Sequence, residues 1–517
     1  MAISRREFIQ TATASAAAIP LALRAQQSAG EPASTLFRHN VASGDPLSDR
    51  VILWTRVTPP ATRSATGPID VSWQIASDEK LTQIVSRGTA VAAEEKDFTV
   101  KVDAGGLRPD RFYYYAFTSG GERSPIGRTK TLPDRGNARM RIASVSCSNY
   151  PAGYFNVYRC LANRELDAVV HLGDYIYEFA NGRYGDGTPA GRVPIPPGEA
   201  STLVDYRNRY ATYRSDIDLQ DAHRLHPFIV VWDDHELAND AWSGGAANHT
   251  AAQGDWQTRR AAAYKAYLEW MPVRESTQPG IRLYRAFRFG DLTDLIMLDT
   301  RGLRDQQVDG RDAAALADPR RSLMGADQEA WFFDQLRASQ RADIRWRLLG
   351  QQILFAPLSV PGLPVQRPDV WDGYPAARTR VFDAIEHDQI SNVVVLTGDI
   401  HSSWALELPR NPFGPPTSYD PSSGTGSLAV ELVTPAISSP PFFASQAQRD
   451  AAKVLAPFAR HLKYLDGEHR GYILLDVSRE RLQADWYHVP SVTERSDNES
   501  KAASFVCERG SAHLARS

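Results

Sequence analysis

The sequence predicts a protein that is mainly β plus α/β: an N-terminal antiparallel β-sandwich followed by a two-sheet α/β sandwich. Between residues 37 and 131, apolar and polar residues alternate with the period of half-buried strands. Beyond residue 137, aliphatic and β-branched stretches alternate with helical ones, which is typical of sheets covered by helices. Four of those aliphatic stretches also end in residues that bind metals. Together these patterns predict a β-rich domain placed before a larger α/β domain that carries residue types able to bind metals.

Residues 1–30 have the features of a twin-arginine (Tat) export signal. Arg5 and Arg6 precede a mostly apolar stretch of small residues from Ala12 to Leu23. A basic N-terminus without a targeting role is the alternative. No Ala-x-Ala lies directly before Gln26, so the cleavage position stays open. We predict export by the Tat translocase, to the periplasm or outside the cell.

Residues 35–132 form the predicted N-terminal domain. Val71, Trp73 and Ile75 alternate with polar residues, and the strand-like stretches are separated by Gly, Pro and Asp. Short strands at this spacing indicate an antiparallel sandwich. The segment 107–113 looks like the turn into a strand of a fibronectin-III-like domain. We expect this domain to be structural, and His39 within it to be structural or interfacial.

The overall composition excludes some functions and leaves others open. The net charge of −3 gives no support for a nucleic-acid-binding surface. No run of 18 apolar residues follows the N-terminus, so we expect no transmembrane segment in the mature chain. The three cysteines are too few for a disulfide framework. We expect Cys147 to be a thiolate ligand and Cys160 to lie in the core, and we assign no role to Cys507.

The four strand ends carry the residues that predict chemistry. Ligands of α/β folds sit beyond the carboxyl ends of strands, so side chains that follow several strands can meet at one rim. The metal-binding types found there are Cys147, Asp174, Tyr177, Asp233, Asp234, His235, Asp399 and His401. A single Asp after a strand is most often a helix N-cap, and a single Cys is usually a core residue. Four such strand ends favour a polynuclear metal site.

The same motifs resemble a known family. Cys147, Gly-Asp-Tyr-Ile-Tyr at 173–177, Trp-Asp-Asp-His-Glu at 232–236 and Gly-Asp-Ile-His at 398–401 are similar to those of the PhoD-type alkaline phosphatases. That family is a branch of the calcineurin-like metallophosphoesterases and is related to the purple acid phosphatases. The resemblance spans nearly the whole chain. It implies a metallophosphoesterase-like catalytic domain over residues 137–505, with one ferric ion and calcium as its metals.

The resemblance also implies a role for each ligand. Asp174 is expected to bridge two metal ions, as carboxylates do in two-metal sites. Tyr177 matches the position of the iron-bound tyrosinate of the purple phosphatases, and Cys147 supplies a thiolate where distant relatives have a carboxylate. Asp399 and His401, two residues apart, can reach one metal together if the turn is tight.

The third motif supplies the remaining site residues. Asp234 matches a metal-binding Asn of the wider superfamily, and His235 matches its phosphate-facing histidine. Asp233 is a second ligand or an N-cap. Asn239 and Asp240 could add oxygen ligands for calcium, which accepts six to eight of them.

The expected function is that of an exported, metal-dependent alkaline phosphatase. It would hydrolyse small phosphate esters, monoesters and also diesters, by attack of a metal-bound hydroxide. We expect His235, Asp174 and Asp234 to be catalytic, with His235 donating to the leaving oxygen. Glu236 orients His235 or ends its strand.

Other residues are ambiguous. Three basic residues are candidates for binding substrate phosphate, although surface solvation is the commoner role for each: Arg207, Arg214 and Arg301. Three aromatic residues could line a pocket or pack in the core: Trp371, Tyr374 and Trp404. The Gly- and Pro-rich segment 181–200 is expected to form a loop over the site.

Two alternative functions use the same motifs. A phosphodiesterase, including a phospholipase D-like enzyme, would share the metals and differ in its pocket. A non-enzymatic exported metal-binding protein would keep the ligands but lack an open coordination position.

Overall fold

The computed structural model describes residues 35–59, 67–276, 282–360, 362–443, 445–448, 450 and 458–517. The predicted Tat signal at residues 1–30 lies outside these ranges. Among the helices within them, none combines the length and the hydropathy needed to cross a bilayer.

The described residues form the following strands and α-helices. The strands are β1 (Val41–Gly44), β2 (Arg50–Arg56), β3 (Ile69–Ala76), β4 (Ile84–Ala92), β5 (Thr99–Gly105), β6 (Phe112–Ser119), β7 (Glu122–Arg123), β8 (Gly127–Lys130), β9 (Arg139–Val145), β10 (Ala168–His171), β11 (Pro227–Val230), β12 (Arg285–Phe289), β13 (Thr293–Met297), β14 (Trp346–Gln351), β15 (Val393–Thr397), β16 (Ser403–Pro409), β17 (Ser427–Val433), β18 (Leu462–Asp466), β19 (Arg470–Ser478), β20 (Arg481–Val489), β21 (Ser500–Glu508) and β22 (Ala515–Arg516). The α-helices are α1 (Asn156–Ala162), α2 (Leu203–Tyr213), α3 (Ile217–Leu225), α4 (Trp256–Trp270), α5 (Ala313–Leu316), α6 (Gly325–Arg341) and α7 (Pro375–His387).

Two large sheets dominate the fold. One has ten strands in the order β22-β21-β20-β19-β9-β10-β11-β1-β2-β5, and the other has seven in the order β12-β13-β14-β15-β17-β16-β18. A smaller sheet contains β4-β3-β6-β7, with β8 paired to β6. The predicted fold class, mainly β plus α/β with a two-sheet sandwich, is confirmed.

The alternation of side chains along the buried strands builds two cores. On β13, Leu295 and Met297 point into the core that the two large sheets share, together with residues such as Ile142 and Trp486. Ile296, between them, points to the opposite face, where a second core contains residues of α6 and α7. The central strands β13, β14 and β15 of the seven-stranded sheet are therefore buried on both faces, which explains their mostly apolar sequences.

The N-terminal strands are split between two sheets. Strands β1, β2 and β5 belong to the ten-stranded sheet, and β1 pairs in parallel with β11. The small sheet packs on these strands through a third core that includes Val51, Leu53, Val71, Ile75 and Tyr115. One layer of the N-terminal sandwich is thus continuous with the sheet that carries the site. The domain boundaries at 35–132 and 137–505 stay a prediction.

The carboxyl ends of four strands meet at one rim. Strands β9, β10 and β11 run parallel as neighbours in the ten-stranded sheet, and β15 runs in the opposing sheet. An isolated parallel bridge between Ser146 and Ala436 links the segments beyond the strands on the two sides. Segments that are far apart in sequence therefore end close together.

Candidate active site

The predicted site residues converge at this rim. Each of three groups offers ligand atoms that lie within 4.8 Å of one another, and the groups share members: Cys147, Asp174 and His401; Asp174, Asp234 and His235; Asp233, Asp234 and Asp399. The burial of these side chains and the sharing of Asp174 and Asp234 make the groups a single cluster. That is the arrangement expected of a polynuclear centre.

Several of these residues have strained backbones. Cys147, Asp174, Asp399 and His401 have φ values of 64°, 55°, 59° and 52°, in the left-handed region. Each such conformation costs about 1–3 kcal/mol and persists where the surrounding structure enforces it. The strain turns the side chains sharply out of the sheets and towards a common point.

Glu236 joins two of the loops that carry the site. Its carboxylate accepts backbone hydrogen bonds from Asp174 (3.0 Å), Tyr175 (2.6 Å) and Asp233 (2.8 Å). The two loops touch closely, because a Cβ on Gly173 would lie 2.5 Å from the Asp233 backbone nitrogen. Burial and the charge of Asp174 raise the pKa of Glu236 to about 8. Glu236 therefore fixes the loops and does not hold the histidine beside it in sequence.

Tyr177 lies at the centre of the cluster. Its hydroxyl donates to Asp174 Oδ2 (2.8 Å), lies 3.0 Å from His401 Nε2 and accepts from Ser439 Oγ (2.8 Å). Its ring stacks on His235 at a centroid distance of 4.3 Å. Burial and the neighbouring Asp174 carboxylate raise the pKa of Tyr177 well above its ordinary value. A bound cation would be needed to hold this phenol as a phenolate.

Cys147 is the thiol of the cluster. Its side chain is fully buried, and its Sγ lies 3.2 Å from Ser146 Oγ. Burial and the Asp174 carboxylate raise the pKa of this thiol well above its ordinary value. The two other cysteines, Cys160 and Cys507, are also unpaired and buried, but they belong to the hydrophobic core.

His235 has a carboxylate partner that the sequence did not reveal. His235 Nδ1 lies 2.7 Å from Glu178 Oε2, and Glu178 Oε1 accepts from the Asn239 backbone (2.8 Å) and from Asn248 Nδ2 (2.9 Å). Burial works against a charged imidazole, but Glu178, followed by Asp234, raises the pKa of His235 well above its ordinary value. Glu178 ends the motif of Asp174 and Tyr177. In the sequence, Glu178 follows apolar residues, and a carboxylate that is buried among apolar residues needs a partner. This position was the sequence signal that could have identified Glu178 as a partner of a site residue.

Arg301 is buried within the acidic side of the cluster. Its guanidinium lies 2.7 Å from Asp399 Oδ1, 2.8 Å from Asp369 Oδ2 and 3.7 Å from Asp234 Oδ1, and its Nε donates to Asp233 Oδ1. Its side chain is only 2% exposed. The surface role considered for Arg301 is therefore wrong.

The two other basic candidates lie away from the site. Arg207 pairs with Glu269 at 2.7 Å, and Arg214 packs its guanidinium over the ring of Trp54 at 4.3 Å. Both are therefore structural.

A cavity of about 510 Å³ opens onto the cluster. Its lining residues are Asp174, Phe179, Arg183, Tyr184, Asp234, His235, Asn239, Asp240, Arg367, Asp399, His401 and Phe442. Trp371, Tyr374 and Trp404 pack in the second core and are absent from this lining. The predicted loop 181–200 contributes Tyr184, whose hydroxyl lies 2.8 Å from His401 Nδ1.

The donor chemistry fits metal ions. Asp174 Oδ1 is buried and has no hydrogen-bond partner among the described residues, which a cation at this position would explain. Cys147 and His401 group with Asp174, and the Tyr177 hydroxyl contacts it. Asp234, Asn239 and Asp399 offer oxygen ligands at the cavity, next to the imidazole of His235. Calcium prefers all-oxygen sites, and thiolate and imidazole suit transition metals such as iron. The two sets of ligands therefore suit different ions.

Comparisons with known proteins agree with one another. The family model described as PhoD-like phosphatase matches residues 142–486, and the model for the PhoD-like phosphatase N-terminal domain matches residues 23–133. Alkaline phosphatase D of Bacillus subtilis (strain 168) is 39% identical over 531 aligned residues, which cover 98% of this chain and 88% of that protein. A solved structure of PhoD is 38% identical with a TM-score of 0.84, covering 94% of this chain and 93% of that one.

Proposed function

The chain belongs to the PhoD-like phosphatase family, and from this premise we propose that it is an exported phosphatase with an iron and calcium centre. Family membership makes it a phosphoric ester hydrolase and disfavours the non-enzymatic alternative. The metals, the range of esters and the export are the proposed part. The observation that best supports this proposal is the convergence of thiol, phenol, imidazole and carboxylate groups at one rim.

The proposed ligands divide by their chemistry. Cys147, Tyr177 and His401 would hold the ferric ion, with Asp174 shared between the metals. Calcium would be held by side-chain oxygen atoms of four residues: Asp174, Asp234, Asn239 and Asp399. Bound there, the ions would neutralise phosphoryl oxygens and lower the pKa of water. Asp233 is not in this set, because its Oδ1 already accepts from Arg301 Nε.

His235 would supply the proton for the leaving group. Glu178 holds Nδ1, so Nε2 is the ring nitrogen that remains for the substrate. His235 lines the cavity, and Glu178 raises the pKa of its ring, which favours the protonated form. A protonated imidazole facing the leaving oxygen can act as a general acid, which stabilises the departing alkoxide. Glu178 acts through His235 and is a positioning residue.

The mouth of the cavity would receive the ester. Arg183 lies over the ring of Phe179 at 4.7 Å, and Arg367 lies over Phe442 at 5.1 Å. Guanidinium groups at an open mouth can hold a phosphate oxygen, and aromatic rings can pack against an ester group. Arg367 lines the cavity and also lies 3.4 Å from Asp399 Oδ2. It replaces Arg301 as our candidate for contact with substrate phosphate. We propose that both monoesters and diesters are substrates.

Turnover of chromogenic esters tests this proposal. We expect the purified protein to release nitrophenol from p-nitrophenyl phosphate and from bis(p-nitrophenyl) phosphate, and Asp174→Asn to release it from neither. Diester turnover without monoester turnover would favour the phosphodiesterase or phospholipase D-like alternative. A folded, metal-loaded protein that acts on neither ester would contradict the proposal.

A further inference from the structure

Arg301 occupies a position where a divalent ion would fit. Ligand atoms of Asp233, Asp234 and Asp399 lie within 4.8 Å of one another, which is the spacing of a possible cation site. The Arg301 guanidinium contacts all three carboxylates, through Nε to Asp233 and through Nη2 to Asp234 and Asp399. A positive charge that belongs to the chain therefore already lies among these ligands.

The guanidinium is locked on its outer side. Asp369 Oδ2 accepts from Arg301 Nη1 at 2.8 Å, while Asp369 Oδ1 accepts from Arg304 Nη2 (2.7 Å) and from Gln307 Nε2 (2.8 Å). Arg304 is fully buried and also donates to the Ala241 carbonyl at 2.8 Å. Arg301 cannot swing away without breaking this network.

The backbone of Arg301 is fixed as well. Asp299 Oδ1 accepts from the backbone nitrogens of Arg301 (3.0 Å) and Gly302 (2.7 Å), which forms a tight turn after β13. The Thr300 nitrogen donates to Gln352 Oε1 at 2.9 Å, at the end of the adjacent strand β14. The loop thus presents the guanidinium in one place.

The carboxylates of Asp233, Asp234 and Asp399 differ in whether they line the cavity. Asp234 and Asp399 line the cavity, whereas Asp233 does not and its side chain is fully buried. Asp399 Oδ2 also lies 3.4 Å from Arg367 Nη2, and Asp234 Oδ2 accepts from the Asp240 backbone nitrogen at 2.6 Å. Each carboxylate oxygen has two lone pairs, so Asp234 and Asp399 can keep these contacts and still offer oxygen towards the cavity. Asp233 Oδ1 accepts from Arg301 Nε, while its Oδ2 is buried and has no hydrogen-bond partner among the described residues. Unlike Asp174, whose Oδ1 is also unpartnered, Asp233 does not line the cavity, so its free oxygen does not face the space where the ester would bind.

We propose that Arg301 is a permanent cation of this centre: it takes the place of a metal ion for Asp233 and positions Asp234 and Asp399 as metal ligands. A guanidinium keeps its charge throughout the physiological range, and unlike a divalent ion it cannot be removed by a chelator. The inference rests on the proposed metal centre. It removes Asp233 from the metal ligands that the sequence predicted.

Metal counting on two matched variants tests the inference. We would purify wild-type protein, Asp233→Asn and Asp399→Asn in calcium buffer and measure bound metals per chain by mass spectrometry. Asp233→Asn should keep the wild-type count, because the carboxylate contacts Arg301, while Asp399→Asn should lose calcium. Loss of a metal from folded Asp233→Asn, as judged by circular dichroism, would overturn the inference.

Replacing Arg301 itself gives a second test of the inference. Arg301→Met leaves three carboxylates without a cation, so the variant should bind one more calcium ion per chain than wild type. Its melting temperature should also depend more strongly on calcium. Arg301→Lys keeps the charge and should keep the wild-type count. A folded Arg301→Met protein with an unchanged or lower count would refute the inference, and if this variant does not fold, Asp233→Asn decides.

These counts are made without substrate, so they separate this inference from the proposed function. A wild-type protein that contains the metals but cleaves no ester would contradict the proposed function alone. A wild-type protein that binds no metal would contradict both.

Discussion

Replacing Tyr177 with phenylalanine separates a metal ligand from a packing residue. The substitution keeps the ring, which stacks on His235 at 4.3 Å, and removes only the hydroxyl. That hydroxyl contacts Asp174, His401 and Ser439 at 2.8, 3.0 and 2.8 Å. All of the lost contacts are polar, and all of their partners are buried.

A packing role and a metal-binding role for Tyr177 predict losses of different size in stability and turnover. If the hydroxyl only forms hydrogen bonds, its loss leaves buried partners unpaired and costs about 1–3 kcal/mol of unfolding free energy. If it binds a ferric ion, the loss should also lower turnover by more than about 10–100-fold, which is the effect of removing even an outer partner of a metal ligand. We expect both effects.

The assay combines spectroscopy with kinetics. A tyrosinate bound to ferric iron gives a charge-transfer band in the visible range, so the wild-type protein should be coloured. Tyr177→Phe should fold, lose the band and fall well below wild type in ester turnover. Tyr175→Phe is the matched control, because the Tyr175 hydroxyl lies 2.8 Å from His223 Nε2 and outside the cluster.

The refuting result is equally specific. A Tyr177→Phe protein with an unchanged spectrum, full iron content and normal turnover would remove Tyr177 from the site. Loss of activity with an intact band would instead assign the hydroxyl a role in positioning Asp174 or His401. Tyr175→Phe should keep both its colour and most of its activity.

Three further predictions concern export, calcium and the proton donor. Changing Arg5 and Arg6 together to lysine should leave precursor in the cytoplasm, and normal yield of exported protein in fractionated cells would contradict Tat targeting. A calcium chelator should abolish turnover and added Ca²⁺ should restore it, with metal content measured alongside; full activity in calcium-free protein would exclude an essential calcium site. Glu178→Gln removes a carboxylate that raises the pKa of His235, so the protonated ring should be lost at lower pH and kcat/KM should fall earlier on the alkaline side. An unchanged pH profile in folded Glu178→Gln would exclude this positioning role.

The sequence predicted which side chains lie together at the rim, because their signal is local. Asp174 and Asp399 each follow a glycine after an aliphatic strand, and the chemistry of such a strand end can be read from a few neighbouring residues. The recurrence of this pattern then predicted a common rim, since parallel strands bring their carboxyl ends together.

The charge partners could not be predicted, because they depend on contacts between distant segments. Arg301 and Asp369 are 68 residues apart, as are Asp233 and Arg301, and no local pattern relates them. Glu178 and His235 are 57 residues apart, whereas Glu236 is the direct neighbour of His235. A histidine at a strand end points away from its neighbour in the chain, so proximity in sequence suggested the wrong carboxylate. Sequence patterns identify which side chains reach the rim, and packing decides how their charges pair.

The pairing of β1 with β11 gives the N-terminal strands a direct structural connection to the site. Strand β11 leads into Asp233, Asp234 and His235, and its neighbours in the ten-stranded sheet are β10 on one side and β1 on the other. Ser43 and Gly44 of β1 pair with the first residues of β11 in parallel register. Without β1, this strand would be an edge with unpaired backbone groups. The N-terminal sandwich therefore supports the strand that leads to His235, the proposed general acid.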